Sequence, residues 1–407
     1  MIVRAKVVVT MEGPPIGNGA VAVIGDRIVD VGKFSEISAR QGNEDVVDLG
    51  EQALLPGLIN AHCHLDYTCL RGKIPRQKTF TDWIRAINAQ KAKLSPEDYV
   101  RSIHDGFAEA KKLGTTTIVN LTAVPELVSR IEAPIRTCWF PELIDVREQI
   151  SGEDLNALCI QVSEARKYWG LAPHAPFTAS ANLYRRCEEI AAREDVLLTT
   201  HLAESREEMS MFRDANGPLY DFLKEIGRDM SDCGHGTPVD RAIKDTANPA
   251  RTRPYLLVHL NELAESDFDL LATSTVKSDV VHCPRSHAYF GHEPFQFQKL
   301  RELGFNICLG TDSLASNDDL SLFAEIRAFQ KELPDVVPEE ILKMVTVNSA
   351  RALRQENALG KIRPGFFADL IAIPTARSTS VFEEIVAFDQ PVSWSMLGGK
   401  IQGTAAS

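Results

Sequence analysis

A chain of 407 residues with 44% apolar content holds enough sequence for a large core plus a smaller unit, and it is not a disordered polymer. A formal charge of −12 and a pI near 5.4 supply no basic footprint for a nucleic-acid backbone or an anionic membrane, which leaves a small-molecule partner. The opening "MIVRAKVVVTMEGPP" lacks the apolar core of a secretion leader and no run reaches the roughly 18 apolar residues of a membrane span, so the expected location is the cytoplasm.

The eight cysteines are scattered, without a CxxC pair, as buried small hydrophobes of a reducing compartment are; only Cys63 and Cys283 stand beside histidines. In residues 1–56, "KVVVTM", "GAVAVIGDRIVDVG" and "DVVDLGEQALLPG" alternate and turn quickly, predicting short antiparallel strands too few to close a core alone. The far end, 361–407, has the same rhythm in "LGKIRPGFFADLIAI" and "WSMLGGKIQG". A small β-sandwich built from both termini, around a central insert of 57–360, reconciles the two.

Within the insert, apolar runs recur as "LLPGLIN", "TTTIVNL", "IRTCWFPELI", "YWGLAPHAP", "VLLTTHLAE", "YLLVHLNEL", "SDVVHCP" and "FNICLGTDS". Amphipathic stretches such as "SPEDYVRSIHDGFAEAKKLG" and "SANLYRRCEEIAARED" separate them. This alternation predicts an α/β fold with a parallel sheet covered by helices, and the number of units fits a closed (β/α)8 TIM barrel. The alternative, an open doubly wound sheet, lacks the Gly-rich fingerprint after its first strand.

Most of these runs end on a polar residue able to bind metal: His62 and His64, then His174, His201, His259, His282 and Asp312. Barrel strands open their carboxyl ends on one face, so these distant residues converge there. In "GLINAHCHLDYT", His62 and His64 lie two apart on an extended segment and share a face, while Cys63 points to the opposite one. With His201 and Asp312 they make three imidazoles and a carboxylate, a set for one divalent ion, zinc first, with iron or manganese also accepting such ligands. Glu204, three residues past His201 in "THLAES", is placed either to carry protons or to serve as a loop carboxylate ahead of a helix. His259 is left to stabilise a developing oxyanion, to add a fifth ligand or to brace the others. No lysine in "YWGLAPHAP" is available to bridge a second ion.

Together, "PGLINAHCHLDYTCLRG", "LAPHAPFTAS", "HLAES", "LLVHLNEL", "VVHCPRSH" and "LGTDSLASN" resemble the amidohydrolase superfamily over essentially the whole chain. The similar branch is that of the cytosine, guanine, adenosine and S-adenosylhomocysteine deaminases, with triazine hydrolases nearby. The resemblance implies His62, His64, His201 and Asp312 as metal ligands, Glu204 as proton carrier, His259 on the bound water and His174 in the substrate pocket. It also implies a homodimer as one assembly state.

Substrate contacts separate the activities of this branch. Trp83 is suited to pack on a ring, or else to fasten its helix to the barrel, and Arg71, Arg76, Arg85, Lys91, Arg147 and Arg285 are cations for an anionic substituent. The segment after Trp83, "IRAINAQKAK", lacks the acidic residue with which S-adenosylhomocysteine deaminases meet ribose hydroxyls, and His287 replaces their usual Asn. "HLDYT", "FTDWI" and "HLAESREEMSMFRDANGPLYDFL" look closer to the aminodeoxyfutalosine deaminases of menaquinone biosynthesis. The expectation is therefore a hydrolytic deaminase of an adenine-type nucleoside, with Arg147 or Arg285 meeting the anionic substituent. The alternatives are S-adenosylhomocysteine, methylthioadenosine or guanine deamination, amide or chloro-triazine hydrolysis, and a catalytically inactive barrel serving as a scaffold.

Overall fold

The computed structural model describes residues 1–42, 44–245, 253–274, 276–376 and 381–402. Positions 377–380 and 403–407 of the C-terminal segment assigned to the small sheet lie outside the described residues. Five strands open the chain: β1 (Ile2–Val8), β2 (Ile16–Ile24), β3 (Arg27–Lys33), β4 (Val46–Asp48) and β5 (Gln52–Pro56). Eight barrel strands follow: β6 (Leu58–His64), β7 (Thr115–Thr122), β8 (Arg136–Leu143), β9 (Gly170–Pro173), β10 (Leu197–Leu202), β11 (Tyr255–His259), β12 (Asp279–His282) and β13 (Asn306–Leu309). The short β14 (Asp312–Ser313) continues the last of them, and β15 (Leu370–Pro374), β16 (Trp394–Leu397) and β17 (Lys400–Ile401) complete the set.

The terminal strands form one sheet in the order β17-β16-β15-β5-β1-β2-β3, with β4 also on β1. Its pairing is mixed. The first half of β1 runs parallel to β4 and its second half parallel to β5, while β2 lies antiparallel along its other edge. The two ends of the chain meet where β5 pairs with β15 from Gln52↔Pro374 to Pro56↔Leu370. Val3, Val8, Leu54, Leu370, Ala372 and Trp394 share its core.

From β6 to β13 every neighbouring pair is parallel, in chain order. All eight residues of β7 are buried, as expected for a parallel strand covered on both faces. The ring closes at its last strand: the Gly310 N–H donates to His282 O on β12 at 2.9 Å, and the Thr311 N–H donates to His62 O on β6 at 3.0 Å. β14 then pairs with β6 through Asp312↔Cys63 and Ser313↔His64. The run "LLPGLIN" divides between the two sheets at Gly57, where a Cβ would lie 2.1 Å from the Thr116 hydroxyl.

Several helices begin where a side-chain cap and apolar periodicity coincide. Helix Pro96–Lys112 starts with a reciprocal cap, Asp98 N–H donating to Ser95 Oγ at 3.2 Å and Ser95 N–H to Asp98 Oδ2 at 3.0 Å. It buries Ile103, Phe107 and Ala110 against Leu65 and Ile118. Among the described residues no helix is long and apolar enough to cross a membrane.

Candidate active site

Because every barrel strand runs the same way, the residues that end them assemble around one mouth. His62 and His64 leave β6 with ring centroids 4.9 Å apart, and His201 at the end of β10 lies 5.0 and 5.5 Å from them. Cys63, between the two, turns to the helical layer, where its thiol donates to Val119 O at 3.3 Å. Asp312 Oδ1 lies 3.6 Å from His62 Nε2 and 3.8 Å from His64 Nε2. The backbone leaves the ordinary regions here: Ala203, His259 and Asp312 have φ of 51°, 82° and 56°. Left-handed backbone at non-glycine residues costs conformational energy and clusters at functional sites.

His62 is fully buried, yet neither of its ring nitrogens has a hydrogen-bond partner, and His64 Nδ1 also lacks one. Orphaned buried nitrogens are expensive unless a ligand satisfies them. One nitrogen from each of His62, His64 and His201 falls within 4.8 Å of the others. Burial holds the His64 and His259 imidazoles well below their ordinary pKa and brings His174 and His201 to about 3, so all four are neutral lone-pair donors at pH 7. His201 Nδ1 faces His174 O at 2.9 Å, which makes Nδ1 the protonated nitrogen and leaves Nε2 as the donor atom. This donor set fits a divalent ion.

Glu142, from β8, was missed in the sequence. Its Oε1 has no hydrogen-bond partner and stands 3.8 Å from His64 Nδ1 and 3.9 Å from His174 Nε2. Glu142, His174 and His201 form a second potential metal grouping, but it draws on the same free nitrogen of His201 as the first. Glu142 is the next-to-last residue of β8, followed by Leu143.

Two further carboxyl groups have opposite character. Burial, reinforced by the negative charges of Asp312 and Glu208, pushes Glu204 well above the usual carboxylate range. Burial opposes ionisation of Asp312 as well, but the imidazole of His62, and beyond it His259 and His64, hold it well below that range. Ser286 Oγ donates to Asp312 Oδ2 at 2.6 Å and the Ser313 N–H to Oδ1 at 2.8 Å. Glu204 lies just before helix Arg206–Asp214, with Oε1 3.5 Å from His259 Nε2. Its backbone is pinned on both sides: its N–H donates to Glu208 Oε2 at 2.7 Å, and its carbonyl accepts from Asn261 Nδ2 at 3.2 Å.

These groups line a cavity of about 280 Å³ whose outer wall is aromatic and aliphatic. His64, His174, His201, Glu204, His259 and Asp312 are at its chemical end; Trp83, Phe80, Phe177 and Phe222 are among its apolar walls. Trp83 both lines the cavity and packs, stacking on Phe80 at 5.9 Å and meeting Phe290 edge-on at 5.1 Å. His174 is fixed by Thr178, whose Oγ1 is 2.5 Å from its Nδ1. The two arginines expected at the substrate are outside the lining. Arg147 is exposed and donates from Nε to Ile226 O at 2.8 Å, while Arg285 is held by Asp319 at 2.6 Å and Asp318 at 3.1 Å. His282 also stays apart, stacked on Phe295 at 3.8 Å.

Known proteins share this sequence pattern and this fold. The amidohydrolase family pattern matches residues 53–401. A 5-methylthioadenosine/S-adenosylhomocysteine deaminase of Moorella thermoacetica is 30% identical over 92% of this chain and 85% of its own length. The crystal structure of Helicobacter pylori aminofutalosine deaminase in complex with methylthio-coformycin superposes with a TM-score of 0.86 at 20% identity, covering 98% of this chain and 99% of that one. An adenosine deaminase from Xanthomonas campestris with bound zinc gives a TM-score of 0.77 at 23% identity, covering 98% and 92%. At these identities the two structures establish the shared fold. With the family pattern spanning most of the sequence and a histidine-rich site that fits a divalent ion, the chain belongs to the amidohydrolase family as a metal-dependent aminohydrolase.

Proposed function

We propose that the protein is a hydrolytic deaminase of an adenine-type nucleoside, with 6-amino-6-deoxyfutalosine as the best single substrate. The observation that carries this reading is the pair of carboxyl groups with opposed protonation: Glu204 enters neutral, Asp312 enters ionised, and both line one cavity. His62, His64, His201 and Asp312 would hold the ion, with zinc as the first candidate. That ion supplies a Lewis acid that makes a water nucleophilic at neutral pH.

The remaining steps belong to the chain. Asp312 accepts a proton from the attacking water as its oxygen adds to the ring carbon that bears the amino group. Glu204 gives its proton to the adjacent ring nitrogen, and His259 holds the oxygen as negative charge develops on it. Transfer of a proton to the amino group then expels ammonia, and a ring carbonyl remains. His174 and Trp83 bind the ring system, and the wall formed by Phe177 and Phe222 excludes water from it.

The relatives' activity on methylthioadenosine and S-adenosylhomocysteine supports a second substrate assignment within the same chemistry. Against it, helix Phe80–Lys91 presents no carboxylate to the cavity after Trp83 with which to meet ribose hydroxyls. Ammonia release from adenosine, S-adenosylhomocysteine, methylthioadenosine, guanine and 6-amino-6-deoxyfutalosine decides between them. The proposal expects the highest kcat/KM on the last, and turnover of guanine alone refutes the adenine reading.

A further inference from the structure

One helix carries a continuous stripe of the outer wall. In Phe80–Lys91, the residues Trp83, Ile84, Ile87, Asn88 and Lys91 recur at helical spacing and all line the cavity. The stripe begins aromatic and ends cationic. Lys91 is the only lysine or arginine in the lining, and among the described residues no salt bridge holds its ammonium, although its charge acts on the buried Asp66. Its Nζ stands 4.9 Å from the centroid of the Tyr67 ring, which in turn stacks on His64 at 5.8 Å. That contact with the ring face offsets only part of what a half-buried ammonium loses by leaving water.

We infer that Lys91 is a specificity-determining residue, which pairs with a carboxylate on the substrate's non-purine end. This inference rests on the nucleoside reading above and names the group that selects among nucleosides. Besides the neutral Glu204, the carboxyl groups of Glu142 and Asp312 already face the same cavity. An anionic substrate entering it is repelled unless a cation on the wall compensates, and Lys91 is the cation so placed. Arg147 and Arg285, with their hydrogen bonds directed elsewhere, do not fill this role. The Tyr67 ring beside Lys91, and the Trp83 and Phe80 rings at the other end of the stripe, suit an aryl group as the carrier of the carboxylate.

The test compares ligands that differ only in charge, using zinc-loaded protein. In the catalytic arm, wild type, Lys91→Met and Lys91→Arg are assayed on the carboxylate-bearing nucleoside named above and on its methyl ester. The ratio of the two kcat/KM values falls about tenfold in Lys91→Met and recovers in Lys91→Arg. In the binding arm, benzoate and benzamide are titrated against tryptophan fluorescence. Wild type prefers benzoate about tenfold, and Lys91→Met abolishes the preference. An equal loss on both nucleosides, or a benzoate preference unchanged in Lys91→Met, overturns the assignment of Lys91. Failure to release ammonia from any purine nucleoside overturns the deaminase reading instead, and the benzoate arm still decides the role of Lys91.

Discussion

Gly310 is where a single methyl group should damage both the fold and the site. A Cβ at this position would lie 2.7 Å from His62 O, 2.8 Å from His62 Cβ and 3.0 Å from His62 N, whereas ordinary contacts fall at 3.4–4 Å. One of the two strands must therefore retreat by roughly 0.7 Å, and backbone atoms do not swing aside as a side-chain tip does. Overpacking of this kind costs about 1–3 kcal/mol, and the lower chain entropy of an alanine in the unfolded state returns about 0.4–1 kcal/mol. Gly310→Ala should thus lose up to about 2.6 kcal/mol of stability. The retreating segment carries His62, so zinc affinity should fall by about 10–100-fold, the range seen when support for a metal ligand is disturbed. Urea melts and zinc titration against a chromogenic chelator read the two effects. Gly17→Ala, whose new Cβ meets nothing within 4 Å, is the control. Wild-type stability together with wild-type zinc affinity in Gly310→Ala would refute the close-approach argument.

Further predictions separate the roles within the site. His62→Ala should lose bound metal while Cys63→Ser retains it, because the thiol faces Val119; equal losses by elemental analysis would contradict this division. Glu204→Gln should keep the metal and lower kcat by about 10²–10⁴-fold, and wild-type kcat should drop at alkaline pH as Glu204 loses its proton. Burial raises Glu208 from 4.5 to about 8, so over that interval the unfolded chain ionises first while the folded protein keeps the proton. Stability should therefore fall as pH rises from about 4.5 to about 8, and urea melts at pH 5 and 8 should show a smaller difference in Glu208→Gln. Arg285→Ala should lose no more than about 1 kcal/mol, since Asp319 is partly solvated and keeps the Ser321 N–H at 2.9 Å, and it should not alter selection between charged and neutral substrates. A selective rise in KM for the anionic substrate would return Arg285 to the binding site.

Residues whose chemistry interrupts an apolar run were the legible part of the site. A histidine or aspartate closing a buried parallel strand stands at the carboxyl end of the barrel, so His62, His64, His201, His259 and Asp312 were traceable to one mouth from position, although His282 meets the same criterion and packs on Phe295 instead. Glu142 follows the same logic but sits inside a run that continues with Leu143 and Ile144, which hid the strand's end. The cations were harder to place because a long side chain goes wherever a carboxylate lies. Asp318 and Asp319, 33 and 34 residues beyond Arg285, capture its guanidinium, a contact that only the folded loops create. Lys91 differed from its neighbours only in helical phase with Trp83. The quick alternation of the first 56 residues marked strands correctly, but parallel pairing of β1 with β4 and β5 depends on long-range register that alternation does not encode.

The strand that closes the barrel also carries Asp312, while the strand it closes against carries His62 and His64. If His62, His64 and Asp312 hold the ion as proposed, it would act as a clasp on a necklace, with ligands on the last link of the ring and on the first, where β14 is only two residues long. Breathing of the circuit is then thermodynamically linked to occupancy, because each opening at this join separates the ligands and each binding event discourages opening. Amide exchange at 62–64 and 310–313 should accordingly quicken when the metal is stripped, ahead of the strands on the far side of the ring.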